Sequence, residues 1–182
     1  MNSWVALSRR LDAPSRWIGR WLRWLALLLV LLQFVVVVAR YVFATSHPML
    51  QEAVLYTNAT LFMVTVGYTY WVDGHVRVDI AYFGAPPRRR AWIDLGGIVL
   101  GLVPLCVTLL WFGWPYVRAS WASLEGPLYF GGIPAVFLLK TLVLVFPVLL
   151  LLQAAAVALR ALAVLRGVEV DLFERNDPGR LP

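Results

Sequence analysis

Charge is what this sequence has least of. Only 14% of its 182 residues are Asp, Glu, Lys or Arg, against roughly a quarter in an ordinary soluble domain. A soluble helical protein needs polar outer faces, yet residues 25–39, 53–72, 95–113 and 133–159 run almost free of charge. Cysteine is nearly absent as well. Cys106 alone cannot close an internal disulfide, and no second ligand accompanies it for a metal, so it reads as a small apolar filler. Both histidines, His47 and His75, fall between the apolar runs, which excludes a pair of imidazoles holding haem inside a helix bundle. There is no Ser-His-Asp set, no HExxH and no glycine-rich phosphate loop. No cofactor or metal is expected, and an enzyme is poorly supported.

What is there is hydrocarbon: 61% of the chain is hydrophobic. Crossing a bilayer takes about 20 helical residues at 1.5 Å each, and each apolar run reaches that length with its flanks. The expected fold is an all-α integral membrane protein with four transmembrane helices. Residues 1–20 form a short amphipathic lead-in at the cytoplasmic surface, with Trp4, Leu7 and Leu11 at helical spacing and Asp12-Ala13-Pro14 as a helix start. Span one is 21–43, span two 51–72, the cytoplasmic loop 73–90, span three 91–112, the external loop 113–132, span four 133–159 and the tail 160–182. The first run is too long for a signal peptide and has no small-x-small cleavage site, so it is read as retained. Pro86-Pro87 is expected to forbid helix, Pro104 to kink span three, and Ile133-Pro134 to open span four. Gly96, Gly97 and Gly101, with Gly67, are candidates for close helix packing.

Thirteen of the sixteen basic residues fall in the N-terminal segment, the loop between spans two and three, or the tail. The positive-inside rule makes that side cytoplasmic, and an even span count returns the C-terminus to it. A net charge of +6 with a pI near 10 might suggest nucleic acid. These charges line membrane boundaries, however, and so mark topology and contacts to anionic lipid headgroups; no nucleic-acid partner is expected. Trp17, Trp21, Trp24, Trp71, Trp92, Trp111 and Trp114 stand where interfacial belts belong.

Ionisable residues near the spans are few. Arg40 and Glu52 are expected to approach one another as an outer-face ion pair. Lys140, the deepest charge, either snorkels to the outer interface or pairs with a partner subunit. Asp94 sits at the headgroups. The middles of the four runs read as Leu, Val, Phe and Ala, and no inverted repeat is found, so a self-sufficient ion-coupled transporter lacks its usual parts. The one dense polar strip is Asp73-Gly74-His75-Val76-Arg77-Val78-Asp79-Ile80. As an extended segment it would place His75, Arg77 and Asp79 on one side, with an assembly role favoured over catalysis.

Glu52 opening span two, Gly67 within it, the strip Gly74-His75-Val76-Arg77-Val78-Asp79 after it, and Gly132-Ile133-Pro134 followed by Lys140 together resemble the small membrane (Q-type) subunit of tripartite ATP-independent periplasmic (TRAP) transporters. The resemblance covers nearly the whole chain. Where members of that family often carry paired acids, this chain has Gln51-Glu52. The resemblance implies a bacterial inner-membrane importer in three parts. A periplasmic receptor captures a small solute, usually a carboxylate, and a large multi-span subunit moves it with a sodium gradient. The small subunit scaffolds the large one, with Arg40, Glu52, Gly67, His75, Arg77, Asp79 and Lys140 as its candidate assembly residues. The residues themselves also leave open a small oligomeric exporter, a membrane enzyme using His75 and Asp79, and a structural subunit of another membrane complex.

Overall fold

The computed structural model describes residues 3–75, 82–127, 130–168 and 170–173, and those residues are helical wherever they are regular. In chain order the elements are α1 (Ser3–Leu11), α2 (Ala13–Tyr41), α3 (Pro48–Trp71), α4 (Pro87–Gly97), a π-helical turn (Ile98–Leu102), α5 (Val103–Ala122) and α6 (Val136–Leu165). Among the described residues three stretches are long and apolar enough to cross a membrane: Trp4–Tyr41, Pro87–Ala122 and Val136–Leu165. Helix α3 has the length, 24 residues, but its apolar run is broken by Thr57, Asn58, Thr60 and Thr65. Its threonines spend their hydroxyls on their own helix: Thr57 donates to the Ala53 carbonyl at 2.8 Å, Thr60 to Tyr56 at 2.7 Å and Thr69 to Thr65 at 3.1 Å. Back-bonding of this kind hides hydroxyls without a partner helix.

Prolines set several boundaries differently from the sequence expectation. Pro87 does not forbid helix but starts α4, where its missing N–H is one of the donors left over anyway. Before Pro104 the helix widens instead of breaking, and the Val103 N–H reaches back to the Ile98 carbonyl across a π turn. Helix α5 runs on through Pro115 to Ala122, so residues 113–122 belong to a helix and not to a loop. Helix α6 begins at Val136, not Ile133, and in the connection before it the Ile133 N–H is bonded to the Glu52 carboxylate at 2.6 Å. At the joint of α1 and α2, the Arg16 guanidinium donates to the Arg9 carbonyl at the end of α1, 3.0 Å away.

Helix α6 is the central post: α3, α5, α4 and α1 all pack on it, whereas α2 packs mainly on α3. Its second half is small and tightly enclosed, with Ala154, Ala156, Val157, Ala161 and Ala163 at most 1% exposed. Three small clusters climb it, around Val66–Cys106–Leu150, Ile98–Ala154–Val157 and Ala91–Ala161–Val164. Small side chains let helix backbones approach closely, the dominant source of packing energy where lipid removes the hydrophobic drive. The outside is correspondingly apolar, with Phe62 77% and Leu100 82% exposed. Among the described residues nothing lies within 4 Å of a Cβ built at Gly96, Gly97 or Gly101, so these three make no close packing contact inside this chain.

Candidate functional site

The polar side chains gather at the two ends of the bundle. One end holds the start of α2, the ends of α3 and α6, and the start of α4. Here the sequence reading missed the best-built group in the molecule. Asp12, at the joint of α1 and α2, makes no helix cap. Its carboxylate instead accepts from Arg160 at 3.0 and 3.4 Å and from the Gln153 amide at 2.8 Å. Ser15 donates to the other end of Gln153 at 3.0 Å. All four are buried. Gly67 of α3 roofs the group, since an added Cβ would stand 3.1 Å from the Ser15 hydroxyl. Its expected close packing is therefore real and lies inside the chain.

From the sequence, Arg160 opens the tail as one more boundary charge. Its position on the inner face of α6, seven residues after Gln153, was the signal available in the sequence. Around this end, Arg88 donates to the Leu165 carbonyl at 3.3 Å, and the Arg166 guanidinium lies 4.7 Å over the Trp4 ring. The side of α1 turned to the protein is Val5, Ser8 and Asp12, leaving Leu7 49% exposed. Tyr82 donates to the Asp94 carboxylate, so Asp94 is tied to the connection before α4 and does not simply face headgroups. His75 is exposed near the Tyr70 ring, at 6.0 Å. Arg77 and Asp79 lie outside the described residues.

The opposite end holds two clasps. Glu52, 8% exposed, accepts the Ile133 N–H, and Gly132 presses on the same carboxylate. Among the described residues Glu52 makes no ion pair with Arg40. Arg40 is exposed and lines a shallow recess with His47, Leu50 and Gln51, so the expected pairing is corrected: a backbone amide takes the place of the guanidinium. Lys140 does find a partner, but within its own chain. Its ammonium lies 2.5 Å from Glu125 and 4.3 Å from the centre of the Tyr116 ring. Ser120 donates to the same carboxylate at 2.6 Å. These contacts, Lys140 first, hold the Glu125 carboxyl below its ordinary value. Trp121, bonded to Thr141 at 2.9 Å, closes the junction of α5 and α6.

Two further side chains were overlooked in runs read as purely apolar. Gln33 and Asn58 stand mid-helix in α2 and α3, both exposed. Residues 25–39, 53–72 and 95–113 hold no Asp, Glu, Lys, Arg or His, and among the described residues no cluster could hold a metal ion. The arrangement can brace and orient helices, and it has no nucleophile placed beside a base.

No curated protein and no solved structure matches the chain. The family model described as tripartite ATP-independent periplasmic transporters, DctQ component, matches residues 29–164. That stretch holds Glu52, Gly67, Glu125, Lys140, Gln153 and Arg160, while Asp12 and Ser15 precede it. With well over half its length matched, this chain belongs to the DctQ component family, the small membrane subunits of TRAP transporters, and is a transporter subunit and not an enzyme.

Proposed function

We propose that this subunit crosses the bacterial inner membrane four times with both termini in the cytoplasm. In that position it scaffolds the large multi-span subunit during ion-gradient-driven uptake of a small carboxylate delivered by a periplasmic receptor. The observation that carries the reading is the placement of charge. The described ion pairs lie toward helix ends and hold two elements together, as Asp12 does with Arg160 and Glu125 with Lys140. A chain that moved a hydrophilic solute or its coupling ion would need ionisable groups or unwound backbone near the midplane. The four-crossing arrangement includes α3, whose self-bonded threonines suit it to lipid despite its composition. The basic N-terminal and α4 segments would face the cytoplasm and its anionic lipids.

Proteoliposomes containing the large subunit and the receptor, with and without this chain, test the reading. Gradient-driven uptake of a carboxylate is expected only when all three are present, and this chain alone should move none. Uptake by this chain alone, or undiminished uptake without it, would refute the scaffold role.

A further inference from the structure

The three carboxamides that stand away from the first and last turns of the long helices are treated very differently by the fold. Gln153 on α6 is buried, and both ends of its amide are bonded, to Asp12 and to Ser15. Gln33 and Asn58 are exposed and have no hydrogen-bond partner among the described residues. Asn58 falls within about 2 Å of the centre of Pro48–Trp71, at 1.5 Å of rise per residue. Gln33 falls equally near the middle of the stretch between Arg23 and Arg40. Both helices belong to one packed pair, and α2 is the least covered element of the fold, with none of its most apolar window buried. A primary amide left in hydrocarbon without a partner costs several kcal/mol, and neither side chain is long enough to reach an interface about 15 Å away. Lipid is therefore the wrong neighbour for this pair of positions. On the outward side of α3, Leu55, 50% exposed, and Phe62, 77% exposed, flank Asn58 at helical spacing and supply the apolar contact.

We propose that the α2–α3 pair is the face on which the large transport subunit docks, with a transmembrane helix of that subunit carrying hydrogen-bonding side chains or exposed carbonyls opposite Gln33 and Asn58. The proposal rests on the reading of this chain as the scaffold of that subunit, and it adds which face does the scaffolding. The bare faces of α5 carry no comparable amide and are left to lipid. Interhelical hydrogen bonds in membranes are individually modest, about 0.6 and at most about 1.7 kcal/mol, so each amide contributes about 3- to 20-fold to affinity.

The test replaces each amide by leucine, which favours insertion and so does not threaten the fold. Full-length wild type, Gln33→Leu, Asn58→Leu and the double variant are titrated with the large subunit in nanodiscs. Phe112→Leu on the exposed side of α5 serves as the control. The expected result is a 3- to 20-fold weakening for each single variant, a larger loss for the double variant, and no change for the control. Wild-type affinity in the double variant, with the complex forming normally, would overturn the docking face while leaving the scaffold role intact. If wild type itself fails to bind, the scaffold reading fails first. If the leucine variants lose self-association instead, the occupant is a second copy of this chain and the proposal is wrong.

Discussion

At the scale of single residues, Gly132 and Glu52 constrain one another. A Cβ at position 132 would collide with the carboxylate that the Ile133 amide needs. Gly132→Ala should therefore destabilise the protein by about 1–3 kcal/mol, as overpacking does. Combined with Glu52→Ala it should cost less than the sum of the two, because the clash and the bond share an atom; melting of the four proteins in one detergent checks this. Glu125 makes a different prediction. Its folded carboxyl titrates below the ordinary 4.5, first through the Lys140 hydrogen bond and then through Ser120. As the pH falls through that value the unfolded chain takes up the proton first, so the stabilisation is complete above about pH 4.5 and lost below it. The melting temperature of wild type should exceed that of Glu125→Gln at pH 7, and the gap should narrow as the pH is lowered below 4.5.

Helices as elements are joined chiefly through α6. The Asp12–Arg160 pair fastens the short N-terminal helix to it, with side chains only 4% and 7% exposed. Removing one partner strands a buried charge, which costs about 3–5 kcal/mol, whereas replacing both by apolar residues removes the stranded charge as well. Asp12→Leu and Arg160→Leu should each lower stability by that amount, and the double variant should recover most of the loss. A double-mutant cycle in detergent reads the coupling. If the double variant is as unstable as the sum of the singles, the pair is not what holds α1. Gly67→Ala should weaken the same joint through Ser15, by about 1 kcal/mol.

For the molecule as a whole, the proposed topology follows from where arginine is placed. Reporter domains fused after Pro182 and inserted at Gly126 should report opposite sides of the membrane. Replacing Arg9, Arg10, Arg16, Arg20 and Arg23 by glutamine should produce a measurable inverted fraction, because the cytoplasmic bias then rests on the α4 and C-terminal arginines alone. A C-terminal reporter on the same side as the Gly126 insertion would refute the even number of crossings.

The amino-acid sequence alone determined the solvent of this protein. Scarce charge, long apolar runs and clustered arginines point to an all-helical membrane chain, and the family is matched along residues 29–164, since these are properties of composition and spacing along a line. Tertiary structure decided which polar groups meet. Asp12 and Arg160 stand 148 positions apart, Glu52 and Ile133 stand 81 apart, and no periodicity within either helix records its partner. Prolines differ for a related reason: Pro87 stands at the first turn of α4, where its missing N–H costs nothing, while Pro115 lies inside α5, and a line of sequence does not say where a helix begins. The same packing separates Gln153, enclosed and fully bonded, from Gln33 and Asn58, left on the outside with their amides unanswered.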